Sequence, residues 1–126
     1  DTIKYAKRVR KALGGGMRQA GFLAAAGIYA LENNIERLAV DHQNAKIIAE
    51  TLTNQYYVSK VVAPETNIIL FDVAAEFSVT AVIAALAAKD ILCSATSNST
   101  IRFVTHLDIS TVMMEKTVNV LSTLKL

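Results

Sequence analysis

Residues 54–73, NQYYVSKVVAPETNIILFDV, hold the change of pattern on which the fold turns. Upstream of Gln55, apolar residues recur at helical spacing. From Val58 the pattern becomes β-branched and alternating through residue 63, and residues 64–67, with the single proline, read as a turn. Residues 68–73 are then a short apolar strand.

Working outward in the N-terminal direction, three helices are expected. Residues 2–13 place Ile3, Ala6, Val9 and Leu13 inward and basic residues outward. Residues 17–33 form a second helix, apolar almost all round from Ala20 to Leu31, as in a helix buried on every side. Asn33 or Asn34 caps a third, residues 35–53, with Ile35, Leu38, Ala45, Ala49 and Leu52 on one stripe and His42 on the same face. In the other direction, Ser78 caps a helix at 79–89 with Val79, Val82, Ile83 and Leu86 on one face. Residues 91–93 read as a short strand, SATSNST (94–100) as a polar loop, and 101–105 as a strand. Ser110 or Asp108 opens a last helix at 111–124, with Met113, Thr117, Val120, Leu121 and Leu124 inward. The predicted fold class is α/β: a small, mainly antiparallel sheet packed with helices. Residues 1–53 are read as a helical connecting segment and 54–126 as the small α/β domain.

At 126 residues the chain is one domain's worth, 52% hydrophobic and 19% charged, with mean hydropathy +0.34. The longest apolar run, residues 20–31, falls short of the roughly 18–20 residues that span a bilayer. The expectation is therefore a piece whose apolar helix is covered by another domain or subunit, and the opening DTIKYAKRVRKAL, already in helical pattern, reads as cut from something longer. One cysteine, Cys93, permits no internal disulfide and fits a reducing compartment. Charge is uneven. Residues 1–18 carry Lys4, Lys7, Arg8, Arg10, Lys11 and Arg18 against Asp1 alone, while the remainder holds seven basic and ten acidic residues. A short cationic end suits one anionic group better than a nucleic-acid track, for which only Tyr5 offers stacking.

Within that end, RKALGGGMRQAG (10–21) allows two readings of its glycines. One is a hinge between helices. The other is an anion cradle, in which Gly15, Gly16, Met17 and Arg18 present free backbone N–H groups at a helix start, with Lys11 and Arg18 adding full charges. No P-loop or GxGxxG pattern is present. Arg102 lies mid-strand in IRFVTH, where it shares a face with Val104 and His106 while Ile101, Phe103 and Thr105 share the other. A guanidinium there calls for a carboxylate or phosphate: a ligand, or Asp72 or Asp108 of the chain itself. His42 reads as a core histidine, His106 as a strand-end histidine beside Asp108, and Cys93 as a buried thiol. Two histidines and one cysteine do not make a zinc site. Lys60, in an alternating strand, lacks the glycine-flanked setting of a cofactor-bearing lysine.

RKALGGGMRQAGFLAAAGIYALENNIERLAVDHQNAKIIAETL (10–52), TNIILFDV (66–73) and IRFVTHLDIS (101–110) together resemble the C-terminal part of the low-specificity L-threonine or L-allo-threonine aldolases. The resemblance runs through nearly the whole chain and is most specific over residues 10–27 and 101–108. It implies the C-terminal small domain of an aminotransferase-like, pyridoxal-phosphate enzyme, together with its connecting helices. It also implies cleavage of L-threonine or L-allo-threonine to glycine and acetaldehyde, with pyridoxal 5'-phosphate as electron sink. Carried onto this sequence, Arg102 would hold the substrate α-carboxylate. Lys11 and Arg18 would lie near the cofactor, Arg18 reaching the phosphate of a neighbouring subunit. The Schiff-base lysine, the ring-stacking histidine and the aspartate on the pyridine nitrogen belong to a preceding large domain and match nothing here, so no catalytic residue is assigned and the chain alone is expected to be inactive. The resemblance further implies a homotetrameric, cytoplasmic enzyme, without nucleic-acid or membrane partners. The alternatives are another aminotransferase-fold lyase of the β-eliminating type, and a non-enzymatic anion-binding or oligomerisation module.

Overall fold

The computed structural model describes residues 1–126, which divide into two compact units, Asp1–Glu36 and Arg37–Leu126. The first unit holds helix α1 (Thr2–Ala12) and helix α2 (Gly21–Asn33), and neither has a buried residue. α2 begins four residues later than the expected start at residue 17, because a turn at 18–20 precedes it.

The second unit is built around a four-stranded sheet. Its elements are helix α3 (Leu38–Thr53), strands β1 (Val58–Val62) and β2 (Ile68–Val73), helix α4 (Val79–Ala87), strands β3 (Ser94–Ala95) and β4 (Thr100–Val104), and helix α5 (Thr111–Thr123). The spatial order is β1-β2-β4-β3, with every pairing antiparallel, so the α/β class and the antiparallel sheet are as expected. The central pair is β2 with β4, in register from Ile68 opposite Val104 to Asp72 opposite Thr100.

Strand alternation sends Ile69, Phe71 and Val73 from β2, and Ile101 and Phe103 from β4, into one buried face. That face is closed by Ala45, Ile48, Ala49 and Leu52 of α3, by Val79, Val82 and Leu86 of α4, and by Met114, Leu121 and Leu124 at α5. Phe71 and Phe103 stack with ring centroids 5.7 Å apart. Tyr57 is fully buried, and its hydroxyl donates to the Leu121 carbonyl at 3.0 Å. Both expected serine caps form: Ser78 Oγ accepts from the Ala81 N–H and Ser110 Oγ from the Met113 N–H.

Three local expectations differ. Helix α3 begins at Leu38, with Arg37 at its N-cap position and no side-chain cap, in place of a start at residue 35 under Asn33 or Asn34, which instead close α2. Residues 91–93 are not a strand. Asp90 adopts φ +61° and the Ile91 N–H returns to the Leu86 carbonyl, which spends Ile91 on the core and defers pairing to Ser94 and Ala95. In α5 the inner methionine is Met114, with Met113 52% exposed, because burial follows the phase set by Leu121 and Leu124. α3 packs on β1, β2 and α5 and lies within the compact unit Arg37–Leu126.

Candidate functional sites

The glycine triplet ends a helix. Leu13 is the C-cap of α1, and Gly14 follows with φ +81°, a conformation that costs any residue with a Cβ. Its N–H bonds the Lys11 carbonyl at 3.2 Å, and the Gly15 N–H bonds the Arg10 carbonyl at 2.8 Å. This pair of bonds is a Schellman motif. Gly15 is sterically required as well, since a Cβ there would lie 2.7 Å from Arg10 Cγ. Of the expected cradle, the Gly15 amide is thus spent on capping α1, and no helix starts before Gly21, so the remaining amides do not lie at a helix start. Side chains supply what remains. Lys11 folds over Gly16, where a Cβ would meet its Cδ at 3.1 Å and its Nζ at 3.3 Å. Arg10, Lys11, the three glycines, Met17 and Ala20 line one open concavity, and Arg18 is not among its walls.

Arg102 stands on the other unit, on the outward face of β4. Its Cα partners are Leu70 on β2 and Ser94 on β3. The side chain is exposed and makes no ion pair with any carboxylate of the chain; Asp72 and Asp108, the two expected internal partners, are both engaged elsewhere. Around it the same face carries half-exposed apolar side chains, Val62, Ile68 and Val104. A guanidinium set among apolar groups with no internal counter-charge is an arrangement for a planar anion.

The end of β4 is held by a polar anchor that sequence reasoning did not find. Asp41 is 3% exposed and takes both forks of Arg37, Nη2 to Oδ1 at 2.7 Å and Nη1 to Oδ2 at 2.9 Å. The hydroxyl of Thr105, also buried, donates to the Asp41 backbone carbonyl at 2.7 Å, and Asn67 Nδ2 donates to the Thr105 carbonyl at 2.7 Å. The i,i+4 spacing of Arg37 and Asp41 was the available signal. It was obscured because Asp41 lies on the apolar stripe that His42 was expected to share; His42 is only half-buried.

The family model for beta-eliminating lyases matches residues 1–76, more than half of the chain. The chain belongs to the beta-eliminating lyase family. Among curated relatives of this chain is a low-specificity L-threonine aldolase of Escherichia coli K12, 46% identical over 110 residues, which cover 87% of this chain and 32% of that protein. A low-specificity L-threonine aldolase 1 of Arabidopsis thaliana is 42% identical over 112 residues, covering 86% and 31%. The chain therefore spans about a third of the length of the curated relatives it matches. A solved cystine C-S lyase, in complex with its product cysteine persulfide, shares the fold at TM-score 0.62 and 18% identity, over 83% of this chain and 29% of that one.

The remaining polar residues of the chain divide by surroundings. His106 is exposed; its Nδ1 accepts the Asp108 N–H at 3.3 Å and lies 3.6 Å from that carboxylate. Burial pushes the Cys93 thiol up to about 11, which keeps it protonated near neutrality. Burial, and to a smaller degree the neighbouring Tyr56, also raises the Tyr57 phenol. No cluster of three or more His, Cys, Asp or Glu side chains is placed to hold a metal ion, and no helix is long and apolar enough to cross a membrane.

Proposed function

We propose that this chain is the C-terminal portion of a pyridoxal-phosphate-dependent threonine aldolase, cleaving L-threonine or L-allo-threonine to glycine and acetaldehyde. The observation that carries the reading is Arg102: exposed, without an internal counter-charge and framed by apolar side chains, in a chain 46% identical to such an aldolase over 87% of its length. Arg102 binds the α-carboxylate of the amino acid through its fork, orienting Cα for the reaction. Val62, Ile68 and Val104 lower the local dielectric and strengthen that contact.

The residues present fit the phosphate end of pyridoxal 5'-phosphate. Lys11 lies over Gly16 in a concavity that a Cβ would narrow, and Arg10 stands beside it. In this reading Lys11 lies near the cofactor and Arg18 reaches the phosphate bound by a neighbouring subunit of a homotetramer. When bound, the cofactor supplies an electron sink for the bond-breaking step. The lysine that links to it belongs to the N-terminal large domain of the whole enzyme, so these 126 residues are inactive by themselves. The single thiol, held protonated, accords with a cytoplasmic protein.

In the full-length enzyme, glycine and acetaldehyde are expected from at least one threonine epimer. Arg102→Ala is expected to lower kcat/KM by on the order of 100-fold, with Arg102→Lys in between. Absence of acetaldehyde from both epimers overturns the reading. The family match over residues 1–76 favours a second one, a β-eliminating reaction on the same scaffold, which releases 2-oxobutanoate and ammonia from threonine in place of glycine and acetaldehyde.

A further inference from the structure

The open face of the sheet holds a second charged group close to Arg102. Asp72 faces the same way from β2, opposite Thr100, and is the diagonal neighbour of Arg102, whose direct partner is Leu70. Diagonal positions on one face are within reach of a long side chain, and arginine with aspartate is a favoured pair. Nevertheless the two do not pair.

The cause lies in the polar segment SATSNST. Thr100 Oγ1 donates to Asp72 Oδ1 at 2.6 Å, the short distance of a charge-assisted bond. Thr100 is itself aimed. Ser97 Oγ accepts the backbone N–H of Ser99 at 3.1 Å and that of Thr100 at 3.0 Å, and lies 3.0 Å from Thr100 Oγ1, to which it can donate. The proton of the Thr100 hydroxyl is then directed away from Ser97 and onto Asp72. Lys60, the Cα partner of Asp72 on β1, adds a positive charge on the side away from Arg102 without forming an ion pair.

We infer that Thr100 is a positioning residue, which restrains the Asp72 carboxylate and so keeps Arg102 free for the carboxylate of an incoming amino acid. The inference rests on the reading that Arg102 binds that carboxylate. Without the restraint Asp72 swings to Arg102 and competes with substrate from within the chain, where its effective concentration is high.

The test uses the full-length holoenzyme and the amino-acid substrate on which it is active. Thr100→Val, which keeps the β-branched shape and removes the hydroxyl, is expected to raise KM about tenfold with kcat within about twofold. Thr100→Ser is expected to retain the parental KM. The double variant Thr100→Val with Asp72→Asn is expected to restore KM, because the competing charge is gone; a purely structural role for Thr100 predicts no such rescue. Ser97→Ala, expected to shift KM in the same direction by a smaller factor, serves if Thr100→Val does not fold. An unchanged KM in Thr100→Val, or a raised KM that Asp72→Asn fails to rescue, overturns the inference while leaving the role of Arg102 intact. An unchanged KM in Arg102→Ala overturns that role, and the inference with it.

Discussion

The two compact units differ in what their apolar residues achieve. In Arg37–Leu126, hydrophobic side chains from three helices and a sheet face close on one another, and Ala45, Leu52, Phe71, Leu86 and Leu121 are fully buried. In Asp1–Glu36 the sequence is at its most apolar, GFLAAAGIYAL, yet Phe22 is 86% exposed and neither helix buries a residue. Hydrophobicity alone does not make a core. A single helix pair offers too little facing surface to remove a helix that is apolar on every side from water. The first unit is therefore organised by its backbone and the second by its packing.

That contrast is sharpest in truncations. Phe71→Ala is expected to lower the stability of the second unit by about 3–5 kcal/mol, whereas Phe22→Ala in the same 126-residue chain changes it by less than about 0.5 kcal/mol. Denaturant titration measures both, and a comparable loss at the two sites would erase the distinction. Next in size is Arg37→Ala, which strips the buried Asp41 carboxylate of its bidentate partner and is expected to cost about 2 kcal/mol. Because the Arg37 side chain keeps a quarter of its surface in water, this lies below the figure for a fully buried pair. Arg37→Lys, with one fork lost, should fall between. A smaller loss than that of Arg37 belongs to the backbone-organised unit. Gly14→Ala places a Cβ at φ +81° and is expected to cost about 1 kcal/mol, confined to α1. Amide exchange in the last turn of α1 reports it, and loss of protection spreading into α3 would show the units to be coupled energetically.

How much was legible depended on whether a feature is local. The strand Ile68–Val73, the caps Ser78 and Ser110 and the antiparallel α/β class follow from short-range pattern and turn chemistry, and each forms as read. The face that Arg102 shares with Val104 was legible because alternation along a strand assigns it, but that this face is the exposed one came with the packing of the opposite face. The Asp41 anchor was not, since a carboxylate on an apolar helical stripe gives no sign of being buried until Thr105 and Asn67 arrive from distant positions. Nor was the phase of α5, where Met113 and Met114 are equally apolar and only the neighbours choose between them. The glycine triplet sits between these cases. Its role as a helix stop is local, but which amides it leaves free depended on the bonds returning to Arg10 and Lys11.

By itself, the sequence determined the elements, their order, the face on which Arg102 lies and the family to which the chain belongs. These follow from periodicity, capping chemistry and motif, all properties of neighbouring residues. Tertiary structure alone decided that Arg102 has no internal partner. Asp72 is thirty positions away along the chain, and whether it reaches Arg102 depends on the strand register and on the hydroxyl of Thr100. A charge is free or paired according to what stands next to it in space, and that is set only when β2 and β4 come together.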